Sequence, residues 1–471
     1  MSFALMVVLL VGLPALAYAA VAVVQRPQRG LLLVAVLIPF DGLLQIVPGG
    51  ETFGPWKEAL ILLTLAAAVV SPRARHADGP AQLPPWVPAL TAFVALGLVS
   101  AAFTGGSVAL WGLKVSYFYA VVPFILMRCP FTLRDRDRLV SILMATGAAT
   151  AVIGVAQQVA GHARLNELGW EYDTAIRFSG SLLRSFSTFT QPFSFGFFMS
   201  LVLLVCLPVA LSDLRRTRNR LFLLATPLLV VGMATSVVRG AILALVVGLV
   251  VLMVWRFRGL FHAAVVSAIV LLLVPAAVMS DFLSSSSLDA RTTGWQLIFD
   301  ELLAAPLGSG IGTTGAAAEK SYLGGTALDE LVVDPASSQL YLPDNQFVKV
   351  VIELGPLGLW LLLLLGAAVV AAAVRAARRT TGDDQALAQG IAASVIGAAF
   401  ASLVSTYLEI FPLDFYFWLL VGVLVSVGSA PDPGGEGAES YGAGTGRAGT
   451  DGVLTGTGVR PRDRDDREPG C

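Results

Sequence analysis

Charge is scarce in this chain. Asp, Glu, Lys and Arg make up 13% of its 471 residues, where a soluble domain carries roughly 25%. With 56% hydrophobic residues and a mean hydropathy of +0.77, an ordinary soluble domain is excluded and a polytopic membrane protein is indicated. Cysteine is scarcer still. Cys129, Cys206 and Cys471 lie far apart, and Cys206 sits inside an apolar run. That excludes a disulfide framework and a cysteine metal site. The three histidines, His76, His162 and His262, are isolated and match no zinc spacing. No metal site and no cofactor is therefore expected. The 31 basic residues balance 32 acidic ones, so no nucleic-acid partner is expected either, and the distribution of charge matters more than its sum.

What is present is a series of apolar runs of membrane-span length. They lie near 3–24, 30–48, 56–72, 86–103, 108–127, 139–160, 194–212, 221–237, 240–255, 260–279, 346–374, 386–406 and 414–430. The fold class they predict is an all-α transmembrane helix bundle of about 12–13 spans. Alternate loops differ in charge. One set carries Arg26, Arg29, Arg73, Arg75, Arg128, Arg134, Arg136 and Arg138, then Arg215, Arg216, Arg218, Arg220, Arg256, Arg258, Arg375, Arg378 and Arg379. The other set holds Lys57, Arg164, Arg177, Arg184, Arg239, Arg291 and Lys320. Basic loops stay in the cytoplasm, so the loops 161–193 and 280–344 are expected outside the cytoplasmic membrane and the C-terminus inside.

The expected organisation follows the runs. Residues 1–193 hold N-terminal transmembrane helices and the first outer loop, and 194–279 hold central helices. A large extracytoplasmic loop spans 280–345, and the C-terminal helices span 346–430. The long loop carries nine acids (Asp281, Asp289, Asp300, Glu301, Glu319, Asp329, Glu330, Asp334 and Asp344) against Arg291 and Lys320. A loop of that length without repeats is more often functional than a mere connector. Residues 431–471, rich in Gly, Pro, Thr and Asp, have too little apolar surface to offset ordering entropy and are expected to be a disordered cytoplasmic tail.

Chemistry is expected on the outer face. Arg184, Arg239 and Arg291 share it, and guanidinium groups grip phosphate oxygens with paired hydrogen bonds. The plainer reading of each is snorkelling to lipid headgroups or a local ion pair. Arg239 stands apart, at the tip of an apolar hairpin with no acid nearby in sequence. Trp295 follows Arg291 by four residues, which places both on one face of a helix. The run Gly308, Ser309, Gly310, Ile311, Gly312 reads as a turn after that helix, and alternatively as backbone that can approach an anion. Asp344 and Asn345 open the span 346–374. Glu353 then lies about 12 Å deeper if the helix starts at Asn345, a depth that calls for a partner such as Lys349 or for a cavity.

Four stretches in this order carry a resemblance: RSFSTFTQPFSFG (184–196), SVVRGAILAL (236–245), ARTTGWQLIFDELLAAPLGSGIG (290–312) and DNQFVKVVIELGPLG (344–358). Together they resemble the O-antigen ligase and O-antigen polymerase superfamily, polytopic enzymes of the bacterial cell envelope. The first ~180 residues match only as generic apolar helices. Ligases of that superfamily carry His followed by Asn, Ser or Gln, then nine residues, then Gly-x-x-Gly, Thr or Tyr. Here Asp344 stands in the His position, followed by Asn345, with Gly355 and Gly358 in place. Asp also occurs there in polymerase-like members.

The resemblance implies a membrane glycosyltransferase that moves or polymerises glycan from a polyprenyl-diphosphate donor onto a glycan hydroxyl outside the cytoplasmic membrane, without a metal. Its partners are then the lipid-linked oligosaccharide donor, the glycan acceptor and the bilayer. The implied roles are diphosphate binding by Arg184, Arg239, Arg291, Trp295 and Asn345, with Arg291 also catalytic, and general base for Asp344 with Glu353 as the second candidate. An aspartate is a weak base at neutral pH, so this role requires burial to raise its pKa. The rival readings are a transporter or lipid-linked-sugar flippase, which predicts polar midplane positions and broken helices, and a scaffold whose outer loop binds a partner.

Overall fold

The computed structural model describes residues 13–71, 83–255, 307–334 and 339–427. The described residues are helical nearly throughout: α1 (Leu13–Gln25), α2 (Pro27–Leu37), α3 (Trp56–Val70), α4 (Trp86–Thr104), α5 (Gly106–Tyr117), α6 (Val121–Arg128) and α7 (Leu133–Glu167) precede a short hairpin of β1 (Arg177–Ser179) and β2 (Leu182–Arg184). Then come α8 (Pro192–Ser212), α9 (Thr217–Thr235), α10 (Arg239–Trp255), α11 (Gly315–Leu323), α12 (Gln346–Arg379), α13 (Gly382–Ala401) and α14 (Leu413–Val423). Helices occupy every expected apolar run except 260–279, which lies outside the described residues.

Among the described residues, six helical stretches are long and apolar enough to cross a membrane: Pro27–Ile46, Trp86–Thr104, Gly106–Arg128, Leu133–Glu167, Pro192–Ser212 and Gln346–Arg379. The apolar helices Arg239–Trp255 and Leu413–Val423 are shorter. This is the all-α polytopic bundle that the composition predicts. The expected tail 431–471 and the loop segment 280–306, with Arg291 and Trp295, lie outside the described residues.

Helix α8 is the centre of the bundle. It is apolar all round, as a helix enclosed by other helices has to be, and its side chains from Phe195 to Ala210 are buried without interruption. Helices α7, α9, α10 and α13 pack against it. Close approach to α13 depends on missing side chains. A Cβ at Gly390 would stand 2.8 Å from the Val205 carbonyl oxygen of α8, and one at Gly397 would stand 2.6 Å from the Ala244 carbonyl oxygen of α10. Small residues at such crossings let van der Waals packing, the main attraction between helices in lipid, act at short range.

The two ends of the bundle differ. At one end arginines bind helices together. Arg26 meets Asp135 of α7 at 2.7 Å, Arg136 grips Asp384 of α13 through two hydrogen bonds of 3.0 and 2.8 Å, and Arg216 joins Asp137 and Asp383. Helix α7 starts there with a reciprocal cap between Thr132 and Asp135. The opposite end holds the β-hairpin, the 307–334 segment and the turns that open α10, α12 and α14.

Candidate functional site

Among the described residues, Arg184, Arg239, Asp344, Asn345 and Glu353 lie toward this second end, while Arg291 and Trp295 lie outside the described residues. Arg184 closes β2, half-buried. Its Nε donates to the Ser236 carbonyl at 3.2 Å, and its guanidinium lies 4.6 Å from the centre of the Phe193 ring. Among the described residues it makes no ion pair. Burial, then the charges of Arg177 and Arg239, bring its pKa down to about 10. Arg239, the first residue of α10, therefore sits close enough to Arg184 to repel it.

From Arg239 the packing leads directly to the start of α12. Gly240 faces Val404, whose Cγ2 would stand 3.3 Å from a Cβ at that glycine. The same turn supplies the Ser402 and Ser405 carbonyls that accept the Gln346 amide at 2.9 and 3.2 Å. Asn345 is the N-cap of α12: its Oδ1 accepts from the Phe347 and Val348 amides at 2.9 and 3.2 Å, satisfying two of the donors a helix start leaves open. This gives Asn345 a structural duty. Asp344, one residue earlier, is exposed. The burial that a raised carboxylate pKa requires is not provided by the protein at that position. Burial, then Asp344 and Asp334, push the Tyr341 phenol up to about 12, so a neutral hydroxyl stands near Asp344.

Helix α12 does not continue straight. Gly355 has φ +67°, a left-handed conformation that only glycine adopts cheaply, and Pro356 follows it. Glu353 therefore lies in a short helical segment before the break. Lys349 and Glu353 pair at 2.5 Å, and Lys349 also reaches Glu409, 60 residues on in sequence, at 2.6 Å. The three side chains are 1–2% exposed. One ammonium faces two carboxylates here, and Glu409 Oε2 accepts no hydrogen bond among the described residues. Glu353 Oε1 accepts instead from the Gly312 and Thr314 amides, at 3.1 and 3.4 Å. Gly310 donates to the Glu353 carbonyl at 3.1 Å and Ser309 to that of Ile352 at 2.7 Å. The glycine run 308–312 is thus neither a bare turn nor an anion cradle. The Ser309, Gly310 and Gly312 amides are committed to α12 and the Ile311 amide to the Ser100 hydroxyl of α4 at 2.9 Å.

A cavity of about 230 Å³ adjoins the triad. Tyr117, Gln346, Lys349, Glu353 and Glu409 line it together with apolar side chains of α12, α13 and α14 as far as Val370 and Trp418. Lys349 is the partner the sequence offered for Glu353, while Glu409 lies in no motif stretch. The signal for Glu409 was an acid in the apolar stretch STYLEIFPLDF, between the runs 386–406 and 414–430, where hydropathy gives it no weight.

A family model described as O-Antigen ligase matches residues 222–363. The matched stretch is similar to the O-antigen ligase family and lies largely in the second half of the chain. No curated protein matches the chain. The matched stretch contains Arg239, Asp344, Asn345, Glu353 and both motif glycines, while Arg184 and Glu409 reach it from outside its bounds. The match supports the O-antigen ligase and polymerase superfamily, and with it a glycan-transferring enzyme that acts on lipid-linked glycans in a membrane.

Proposed function

We propose that the chain transfers or polymerises glycan from a polyprenyl-diphosphate donor onto a glycan hydroxyl, at the outer face of the cytoplasmic membrane. The observation that carries this reading is Arg184. It is a half-buried cation without an ion-pair partner among the described residues, within electrostatic reach of Arg177 and Arg239 at the end of the bundle where the ligase motif begins. Placing like charges together costs free energy unless an anion fills the gap, and a diphosphate has the charge and the oxygens for it.

The reaction then proceeds as follows. The acceptor hydroxyl gives its proton to Asp344 and its oxygen attacks the anomeric carbon of the donor sugar. The bond between that carbon and the diphosphate oxygen breaks, and its electron pair stays on the diphosphate. Arg184, Arg239 and Arg291 hold the charge that develops on the leaving group, as preorganised donors do in acyl and phosphoryl transfer. No metal is assigned a role. Because Asp344 is exposed, the bound substrate has to supply the desolvation that makes it a better base. The apolar lining beyond the triad suits the hydrocarbon of the carrier rather than its sugar.

The test is Asp344→Asn, measured as the initial transfer rate of purified protein on a lipid-linked oligosaccharide. The rate is expected to fall by about 10²-fold or more, the usual scale of general-base catalysis, while donor binding changes little. Asp344→His restores the commoner residue of the family and is expected to retain activity with its pH profile moved upward. A near wild-type rate for Asp344→Asn would falsify the base assignment and shift it to Glu353. Transport of a lipid-linked sugar is the second reading. The break in α12 and the buried charges beside it favour that reading, since transporters bind at broken helices. Flipping of the donor without any transfer product would establish it.

A further inference from the structure

The loop that carries Arg184 is fastened to helix α7 by two neighbouring glutamines. Gln157 is buried and clamps the residues after Arg184. Its Oε1 accepts from the Phe186 and Ser187 amides at 3.1 and 2.7 Å, and its Nε2 donates to the Ser187 carbonyl at 2.8 Å. Gln158 straddles Arg184. Its Nε2 donates to the Leu183 carbonyl at 2.6 Å and to the Ser185 hydroxyl at 2.9 Å. The same nitrogen lies 3.4 Å from the Thr235 carbonyl at the end of α9. Carbonyls accept only from the amino end of an amide, which fixes the orientation of this side chain.

The Thr235 contact joins the loop to the turn that precedes Arg239. The Ser185 amide donates to that same carbonyl at 2.9 Å, and the Arg184 Nε donates to the next one, that of Ser236. Val237 then turns the chain with φ +53°, a left-handed conformation that a β-branched residue adopts only at a cost. Ser187, three residues after Arg184, has φ +55°. Strain of this kind persists where the surroundings over-determine it, and it concentrates at functional sites. The surroundings here are the glutamine amides and the hydrogen bonds to Thr235 and Ser236. The strained turn delivers Arg239 as the first residue of α10, within electrostatic reach of Arg184.

We propose that Gln158 is a positioning residue, which holds the Arg184 loop and the turn before Arg239 as one body so that both guanidiniums meet a single diphosphate. The proposal rests on the glycan-transfer reading for its ligand, and on the hydrogen bonds around Gln158 for its geometry. In this role Gln158 acts through the backbone on both sides of Arg184 rather than on the substrate. A displacement of about 1 Å far from the reacting atoms can cost about 10²-fold, so a brace on the loop matters as much as the charge it carries.

Binding of a short polyprenyl diphosphate tests this. The probe is tritiated farnesyl diphosphate, measured at equilibrium on the full chain in phosphatidylcholine nanodiscs with empty nanodiscs as the blank. Gln158→Met keeps the length of the side chain and removes its donors. It is expected to weaken binding about tenfold, the scale of a lost hydrogen bond to a buried partner. In an Arg184→Ala background the same substitution is expected to change affinity less than about twofold, because the group it positions is gone. A merely structural glutamine weakens both backgrounds alike. Val237→Gly separates positioning from misfolding. Glycine takes a left-handed φ without strain, so the midpoint of unfolding in dodecyl sulfate is expected to hold or rise. Affinity is expected to fall about threefold or more as the turn relaxes. Equal losses with and without Arg184, an unchanged affinity in either variant, or no binding by the unaltered chain each overturns the proposal. The two readings fail separately. Coupled binding in a protein that transfers no glycan keeps Gln158 in its role and removes glycan transfer. Undiminished transfer in Gln158→Met does the reverse.

Discussion

At the scale of single residues, charge placement carries most of the information. Arg184 is the plainest case, because its hydrogen bond to Ser236 and its contact with Phe193 hold it without neutralising its charge. Arg184→Ala is expected to lower transfer by roughly 10²-fold or more, the scale seen when one preorganised oxyanion donor is lost. Arg184→Lys is expected to rescue poorly, since an ammonium lacks the fork. Immunoblots of membrane fractions must show unchanged insertion for the loss to count, and full activity in Arg184→Ala leaves snorkelling as the explanation. The triad of Lys349, Glu353 and Glu409 makes a different prediction. Lys349 is its only cation, so Lys349→Met leaves two buried carboxylates facing each other. Breaking a buried pair costs about 3–5 kcal/mol. Glu409→Gln leaves one matched pair and is expected to cost far less. Midpoints of unfolding in dodecyl sulfate compare the two, and equal losses would contradict the surplus of negative charge in the triad.

At the scale of elements, the helices are placed by their apolar runs and locked by what they lack. Helix α13 touches both α8 and α10 through glycine, so its packing tolerates no added volume there. Gly397→Val is expected to destabilise the bundle by about 1–3 kcal/mol, the usual cost of overpacking, with the midpoint of detergent unfolding as the readout. Gly366, with nothing within 4 Å of a Cβ, is the control, and Gly366→Ala is expected to be near neutral. The glycine run 308–312 shows how an element changes meaning in context. Alone it reads as a turn. In the fold its amides bind Glu353 and the last carbonyls before the break in α12, and so seat the long loop on the motif helix.

At the scale of the whole molecule, the bundle has an arginine-bound end and a motif-bearing end. We propose from the charge bias between alternate loops that the motif-bearing end lies outside. In a background without Cys471, Gly325→Cys is expected to react with a membrane-impermeant maleimide in intact spheroplasts, and Arg215→Cys is not. The native Cys129 and Cys206 are buried and leave the signal clean. The opposite labelling pattern would invert the orientation and remove the outer-face reading with it.

The amino-acid sequence by itself determined the membrane class, the positions of the helices and the order of the motif segments. Each of these rests on local quantities. Hydropathy sums over a run of neighbours, and the spacing from Asp344 to Gly355 and Gly358 is written along one segment. The meeting of Lys349 with Glu409, and the charge of Arg239 acting on Arg184, were decided by tertiary structure alone. Those residues lie tens of positions apart, and their types repeat no pattern. Only the packing of helices decides which charged groups leave water together, and burial is what turns a scattered Glu409 into part of a site.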